Sequence, residues 1–205
     1  VINDAKRNDI ASSAEAYAQA FLQRGMPLCG DAVTVNPFLG SDGIHPFIKI
    51  AQENGNGVFV LLKTSNPSSQ ELQDLEMRDG RALHWALVEQ IKSLSEGTKG
   101  KRYSFVGCVV GATYPQTATL IRKSLPDNLF LVPGYGTQGG NADSLQGYFN
   151  RDGSGALISS SRAIIYAYMQ RDDWYTLSED EVGASITNAV LESNLAINQV
   201  RLNQS

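Results

Sequence analysis

Two carboxylates and one ammonium group stand close together near the start of the chain, at Asp4, Lys6 and Asp9. They follow Val1 and Ile2, whose apolar side chains are typical of a buried strand. Because residues i and i+2 of a strand project to the same side, we expect Asp4 and Lys6 to point together, with Asp9 in the following loop or helical turn. This arrangement can keep a lysine charged and concentrate negative charge beside it. A weak surface ion pair is the alternative, and the position at a strand end favours a functional role.

Further polar or glycine-rich segments follow other apolar runs. Residues 133–140 read Pro-Gly-Tyr-Gly-Thr-Gln-Gly-Gly, which suits close backbone approach to a ligand, although sharp turns alone are the alternative. Arg162 follows the last apolar run, near the start of a short helix, and a guanidinium suits bidentate contact with phosphate. An exposed surface arginine is the alternative there. Residues 64–67, Thr-Ser-Asn-Pro, either present hydroxyl and amide groups to a polar ring edge or form a capping turn.

Six short apolar runs alternate with six longer amphipathic stretches. The apolar runs are rich in Val, Ile, Leu and Phe and predict parallel strands buried on both faces, at residues 1–3, 32–36, 57–63, 104–110, 129–132 and 156–159. The amphipathic stretches predict helices at residues 14–23, 46–53, 81–94, 115–124, 161–169 and 179–202. Ser12 and Ser13 are candidate caps for the first helix, and Ser178 with Glu181 has the spacing of a capping box for the last.

Strand and helix alternation predicts an α/β fold with a parallel sheet. Six such units form either an open doubly wound sheet or the last six units of a (β/α)8 TIM barrel, which usually needs about 250 residues. The chain begins on a strand that ends in charged residues. We therefore expect residues 1–205 to be a single domain that is the C-terminal part of a TIM barrel and begins in its middle.

The composition restricts the classes of partner. The chain has 205 residues, of which 42% are hydrophobic, and this is enough for one sizeable core. Its formal net charge of -4 argues against a nucleic-acid coat, which needs a basic surplus to neutralise phosphates. No run approaches the roughly 18 apolar residues that span a bilayer, so no membrane partner is expected. Cys29 and Cys108 predict reduced thiols in the cytoplasm.

Metal and dinucleotide sites are not expected from the motifs present. His45 and His84 have no partners at ligand spacing, and the sequence has no Cys/His cluster. Gly134-x-Gly136 lacks the helix and the acidic residue that follow a dinucleotide fingerprint.

The motif Asp-x-Lys-x-x-Asp-Ile at residues 4–10 resembles the core motif of orotidine 5′-phosphate decarboxylase. Related phosphosugar decarboxylases and epimerases of the same barrel group share parts of this motif. Further segments resemble successive strand ends of the longer bacterial form of the decarboxylase, at residues 31–40, 59–67, 109–115, 132–140 and 158–164. These segments occur in the same order as in that family and cover most of the chain.

The resemblance implies decarboxylation of orotidine 5′-monophosphate to uridine 5′-monophosphate in pyrimidine biosynthesis, without a cofactor or a metal. Lys6 would protonate C6 of the pyrimidine, and its ammonium would stabilise the developing charge. Asp4 would hold Lys6 and lie against the substrate carboxylate. Asp9, with Ser13 four residues on, would reach into the neighbouring subunit's site, because the family forms homodimers with sites at the interface.

The resemblance also assigns substrate-binding residues. Ser65 would contact the pyrimidine amide, and Gln138 and Arg162 would hold the phosphate. Some features depart from the family. Ser13 stands where a threonine is usual, Tyr135 is bulky for a phosphate loop, and a further lysine and a ribose-binding aspartate belong to strands that an N-terminal segment of the same barrel would supply.

Other functions stay open from the residues alone. Another phosphosugar lyase or epimerase of the same barrel group would keep Asp4, Lys6 and Asp9 with a phosphate site, would not need Ser65, and would often use a metal. An inactive barrel fragment retained for assembly or regulation is a second alternative. A sensor that binds a sugar phosphate or nucleotide without turnover is a third.

Overall fold

Six strands alternate with helices along the chain, as the apolar runs predict. The computed structural model describes residues 1–136 and 141–202. The strands within these residues are β1 (Ile2–Arg7), β2 (Ala32–Val35), β3 (Gly57–Lys63), β4 (Val106–Val110), β5 (Phe130–Pro133) and β6 (Ala156–Ser159). The α-helices are α1 (Ala11–Leu22), α2 (His45–Asn54), α3 (Gln70–Gln73), α4 (Leu83–Ser95), α5 (Pro115–Ser124), α6 (Arg162–Ile165) and α7 (Glu179–Leu202).

The strands form one parallel sheet whose spatial order is the order of the chain, β1 to β6. A doubly wound sheet reverses its strand order at a switch point, whereas a barrel adds each strand beside the previous one. The sequential order is therefore that of a TIM barrel, and the structure confirms the expected fold class with six of the eight strands. Because the strands are parallel, all of their carboxyl ends lie at the same edge of the sheet.

The two faces of the sheet bury different sets of side chains, because successive residues of a strand point to opposite sides. In β3, Val58, Val60 and Leu62 face the helices and belong to the main hydrophobic core. Phe59 and Leu61 point to the inner side and belong to a second, smaller cluster. The alternation continues in the other strands. Helices α1, α2, α4 and α5 thus cover the outer face, while the inner face lines the barrel interior.

The inner side of the sheet is open between its two edge strands. Within the described residues, β1 pairs with β2 and β6 pairs with β5, and neither has a second neighbour. Leu157 of β6 is 42% exposed on the inner side. No helix of the described part of the chain is long and apolar enough to cross a membrane.

Some local expectations are wrong. Strand β1 continues to Arg7, with an irregular register against β2 between Asn3 and Arg7, so Asp4 and Lys6 lie in the strand and not after it. Helix α1 begins at Ala11, because the Ile10 carbonyl already accepts the N–H of Ala14. The first-turn serines at positions 12 and 13 are therefore exposed helical residues and not caps.

The other two predicted helix features have different outcomes. The segment 161–169 contains one α-turn, α6, followed by a 3-10 turn at Ala167–Gln170 instead of a continuous helix. The capping box of α7 is confirmed. The Glu181 carboxylate accepts the backbone N–H of Ser178 at 2.9 Å, and the Ser178 hydroxyl accepts the backbone N–H of Glu181 at 3.3 Å.

A buried arginine joins the amino-terminal ends of the last strands. The guanidinium of Arg122 on α5 lies 3.4 Å from the centre of the Phe130 ring, and burial lowers its pKa to about 10. It donates hydrogen bonds of 2.8–3.0 Å to the backbone carbonyls of Leu125, Asn128, Tyr148 and Gly155. Buried carbonyls need such partners, since leaving one unpaired costs free energy.

The substitution Arg122→Met should lower the free energy of unfolding by about 3 kcal/mol, because it leaves several buried carbonyls without a donor. Chemical denaturation followed by circular dichroism measures the change. Arg102→Met is the matched control: Arg102 is an exposed partner of Asp152, and its loss should have a much smaller effect. Equal effects of the two substitutions would contradict this role for Arg122.

Candidate active site

A cavity of about 1020 Å³ opens at the carboxyl ends of the strands, where the catalytic loops of barrel enzymes lie. Its deeper wall is apolar and comes from the inner faces of the strands, including Leu61, Val109 and Leu131. Its rim is polar, with Asp4 and Lys6 on one side of the cavity and seryl and threonyl side chains on the other. We call it the main cavity. Charged groups beside an apolar wall interact more strongly than they would in water.

Lys6 and Asp4 form an ion pair at the rim, as their spacing predicts. The Lys6 Nζ atom lies 2.5 Å from Asp4 Oδ2, and both side chains are about half exposed. The hydroxyl of Thr34 on β2, which is fully buried, donates to Asp4 Oδ1 at 3.0 Å and accepts the backbone N–H of Lys6 at 2.9 Å. Thr34 thus fixes both partners of the ion pair. Sequence reasoning missed Thr34, although a hydroxyl within an apolar strand was a visible sign.

The backbone at Lys6 is strained. Its φ angle is 46°, in the left-handed region that residues with a Cβ atom rarely adopt. The hydrogen bond from its N–H to Thr34, and that from the Asn36 N–H to the Arg7 carbonyl at 2.9 Å, hold the end of β1 in this conformation. Such strain costs free energy and concentrates at functional sites. The conformation that sets the direction of the Lys6 side chain is therefore held at a cost in stability.

Asp9 and Ser13 lie outside the main cavity. The Asp9 carboxylate accepts the backbone N–H of Ile10 at 2.8 Å, and among the described residues it has no hydrogen bond to Asp4 or Lys6. Ser13 is exposed on the first turn of α1. The chain alone therefore brings Asp4 and Lys6 together and leaves the other two predicted residues at the outer surface.

Ser65 lies across the main cavity, in the turn after β3. It packs directly against β4, since a Cβ atom at Gly111 would approach the Ser65 backbone nitrogen to 2.7 Å. Its neighbour Thr64 is hydrogen-bonded to Gln73 at the end of α3. Neither Gly111 nor Gln73 was singled out from the sequence. Their contacts join segments distant in the chain, and no local pattern marks them.

Lys63 forms an ion pair with Asp74 and not with Asp4. Its side chain is 2% exposed, and its Nζ atom lies 2.7 Å from Asp74 Oδ1 and 4.3 Å from the centre of the Tyr114 ring. His84 is also buried here, with Nδ1 2.9 Å from the Gln73 carbonyl oxygen. Lys63 therefore does not supply a second lysine to the Asp4–Lys6 pair.

A smaller cavity of about 190 Å³ adjoins the main cavity, between the loops after β5 and β6. Arg162, at the start of α6, lines it together with Ser65, Tyr135 and Ser161. The two loops touch, because a Cβ atom at Gly136 would lie 3.0 Å from the side chain of Ala163. The structure thus brings Arg162 and Ser65 to one cavity. Gln138, the other predicted phosphate ligand, lies outside the described residues.

Tyr135 connects the two cavities. Its side chain is half-buried, packs against the main core and lines both cavities. Its backbone carbonyl accepts the Ser160 hydroxyl at 3.2 Å, and burial raises the pKa of its own hydroxyl. The bulky residue in this loop is therefore a wall that stays neutral. Among residues 1–136 and 141–202, no group of three His, Cys, Asp or Glu side chains is placed to hold a metal ion.

The chain is similar to known decarboxylases along nearly all of its length. The model of the orotidine 5′-phosphate decarboxylase / HUMPS family matches residues 1–174. An orotidine 5′-phosphate decarboxylase of Rhodopirellula baltica is 39% identical over 199 residues, which are 95% of this chain and 66% of that protein. The protein of the same name from Caldicellulosiruptor bescii is 46% identical over 177 residues, 82% of this chain and 57% of that protein.

The fold comparison agrees with the sequence comparison. The solved structure of Leishmania donovani OMP decarboxylase superposes with a TM-score of 0.73 at 33% identity, over 98% of this chain and 68% of that one. The chain spans 57% to 66% of the length of the two sequence relatives. Because the family model covers most of the chain and the open barrel carries the Asp4–Lys6 pair at its strand ends, the chain belongs to the orotidine 5′-phosphate decarboxylase / HUMPS family.

Proposed function

We propose that the complete protein converts orotidine 5′-monophosphate to uridine 5′-monophosphate. In this reaction the carboxyl group at C6 of the substrate leaves as carbon dioxide. The Asp4–Lys6 ion pair at the rim of a cavity with an apolar wall carries this proposal. The names of the relatives and the membership of the family support it. The reaction needs a proton donor beside a carbon that becomes negative, and Lys6 is a donor in that setting.

In the proposed reaction the bond between C6 and the carboxyl carbon breaks, carbon dioxide leaves, and the electron pair stays on C6. Lys6 gives a proton from its ammonium group to C6 and regains one from solvent. The positive charge of Lys6 stabilises the developing carbanion before the transfer, which is the kind of electrostatic effect that usually dominates catalysis. Asp4 lies against the substrate carboxylate and holds Lys6 in position. The step as written uses no cofactor and no metal.

Substrate binding is assigned to the opposite side of the two cavities. Ser65 contacts the amide edge of the pyrimidine, and Arg162 binds the phosphate in the small cavity, with Gln138 as its partner. The position of Ser65 between both cavities supports this assignment, since a nucleotide places its ring and its phosphate apart. Binding of a phosphate remote from C6 can contribute free energy to the reaction.

We propose a homodimer in which Asp9 and Ser13 contribute to the neighbouring subunit's site. Exposed apolar side chains surround Asp9: Ile10 is 53% exposed, Phe38 74% and Leu39 46%. Leu39 and Asp9 both lie beside Gly43, so the patch is continuous. A clustered apolar patch rimmed by polar groups is typical of a protein interface.

We also propose that an N-terminal segment of the same barrel, in the same chain or as a second one, pairs with β1 and β6. Both strands have unpaired edges, which invite association with further strands. The added strands would bring the second lysine that, around Lys6, balances the charge of Asp4 and of the Asp9 contributed by the neighbouring subunit. The domain would then be a closed barrel of which residues 1–205 form the C-terminal part.

We infer that the protein works in the cytoplasm. Cys29 and Cys108 are both free thiols, which suits a reducing compartment. Cys108 is fully buried, and this burial raises the pKa of its thiol to about 12, so it stays protonated and unreactive.

In the complete protein, Lys6→Ala should lower kcat for orotidine 5′-monophosphate by more than about 1000-fold, because the proton donor and the stabilising charge are both lost. Affinity for uridine 5′-monophosphate should change little, since the lysine acts on the transition state. An ultraviolet absorbance assay measures the rate, and calorimetry measures the affinity. Lys123→Ala, an exposed lysine on α5, is the matched control. A Lys6→Ala rate within about tenfold of the wild-type rate would overturn the mechanism.

Arg162→Ala should weaken uridine 5′-monophosphate binding by about 10- to 100-fold, because a charge-assisted contact with phosphate is lost. Uridine, which lacks the phosphate, should bind both proteins equally. Arg171→Ala serves as control, since Arg171 is an exposed partner of Asp173. Calorimetry on the complete protein decides the matter, and equal wild-type affinity for nucleoside and nucleotide would show that the assignment of the phosphate site is wrong.

The assembly has its own test. Residues 1–205 expressed alone should show no turnover and should aggregate through their sheet edges, whereas addition of a family-like N-terminal segment should restore activity and yield a dimer.

In that active form, Phe38→Asp should shift the dimer to monomer in analytical ultracentrifugation, because it buries a charge in the apolar patch. Full turnover by residues 1–205 alone would refute the need for a segment, and an unaltered dimer in Phe38→Asp would refute the interface.

A further inference from the structure

The turn after β3 is held from the side of α3 by a paired set of hydrogen bonds. The backbone N–H of Thr64 donates to Gln73 Oε1 at 3.0 Å, and Gln73 Nε2 donates to the Thr64 hydroxyl at 2.8 Å. The Thr64 hydroxyl in turn donates to Asn66 Oδ1 at 2.7 Å. One amide side chain therefore fixes both the backbone and the side chain of Thr64, and through it the residues on either side of Ser65.

The residues that flank this contact are themselves anchored. Lys63 precedes Thr64 and is ion-paired with Asp74, which follows Gln73. Two successive pairs, 63 with 74 and 64 with 73, therefore join the end of β3 to the end of α3. The Lys63 ammonium is buried and also lies over the Tyr114 ring. A buried charge of this kind is costly to separate from its partner, so the position of Gln73 is well fixed.

The opposite side of the turn is closed by β4. A Cβ atom at Gly111 would lie 2.7 Å from the Ser65 nitrogen and 2.8 Å from its Cα, so no space remains behind the turn. The Gly111 carbonyl accepts the hydroxyl of the buried Tyr148 at 2.6 Å, which holds this strand end in place. Ser65 is thus enclosed between β4 and the Thr64–Gln73 contact. Its remaining open sides face the main cavity and the smaller cavity.

We propose that Gln73 is a positioning residue for recognition of the pyrimidine ring, acting through Thr64 to hold Ser65 in the orientation that the ring requires. The inference rests on the proposed function, because it takes Ser65 as the contact to the ring. Gln73 lowers the cost of binding by ordering the turn before the ligand arrives. The effect of Gln73 on affinity should therefore depend on whether the ligand has a pyrimidine ring.

The test compares two ligands on the complete protein. Uridine 5′-monophosphate has a pyrimidine ring, a ribose and a phosphate, whereas ribose 5-phosphate lacks the pyrimidine ring. Gln73→Ala should weaken binding of the nucleotide by about tenfold, the loss of one or two hydrogen bonds, and leave the affinity for ribose 5-phosphate unchanged. KM for orotidine 5′-monophosphate should rise with it. Gln70→Ala, an exposed glutamine in the same helix, is the control and should change neither affinity.

A second variant tests the path of the effect. Thr64→Val removes the hydroxyl without changing the shape of the side chain, and it should also weaken nucleotide binding selectively. The effects of the two substitutions should be less than additive in the double variant, since both remove the hydrogen bond between Gln73 Nε2 and the Thr64 hydroxyl. Retained binding of ribose 5-phosphate shows in each case that the variant is folded.

The two possible failures differ in their results. If the wild-type protein neither binds uridine 5′-monophosphate nor turns over orotidine 5′-monophosphate, the proposed function is wrong and the inference falls with it. If the wild-type protein does both, the inference is overturned when Gln73→Ala leaves nucleotide affinity unchanged, or when it weakens both ligands equally. Additive effects of the two substitutions would likewise overturn the path through Thr64.

Discussion

The buried hydroxyl of Thr34 is the contact on which the arrangement of charges depends. It bridges β1 and β2, since it donates to the Asp4 carboxylate and accepts the backbone N–H of Lys6. Without that acceptor, the left-handed backbone at Lys6 would lose one of the two hydrogen bonds that hold the end of β1 in its strained conformation. The bridge exists only because the two strands are parallel neighbours in the register observed. A hydrogen bond of ordinary strength therefore links the pairing of the two strands to the direction of the Lys6 side chain.

The same alternation that builds the core also provides the site. Outward-facing residues such as Val58 and Val60 are buried under helices and can be purely apolar. Inward-facing positions change character along each strand, from apolar residues such as Leu61 to polar groups at the carboxyl end. The polar ends are tolerable because they border a cavity and not a packed interior. Lys63 is the exception, and it is buried only because Asp74 and Tyr114 satisfy its charge.

The sequence predicts well what repeats along the chain and poorly what joins distant parts of it. The bounds of β3 and α5 agree with the structure to the residue, because apolar alternation and a first-turn proline are local signals. The Asp4–Lys6 pair is local too. Thr34 and Gly111 act through partners that are remote in sequence, and Gln73 acts across the turn between β3 and α3, so no spacing rule reveals them. The expected serine caps of α1 are wrong because the helix already begins at Ala11, with Ile10 at its N-cap position.

Close backbone contacts give the candidate site its mechanical coupling. Gly111 brings β4 against Ser65, and Gly136 brings the loop after β5 against Ala163 beside Arg162. Neither contact has room for a methyl group without displacing its neighbour. Ser65 and Arg162 line the same small cavity, so the groups assigned to the ring and to the phosphate border one another. In the proposed reaction, phosphate binding at Arg162 would therefore also help to place the ring relative to Lys6. This would be a physical route by which binding energy from a remote group reaches the reacting carbon.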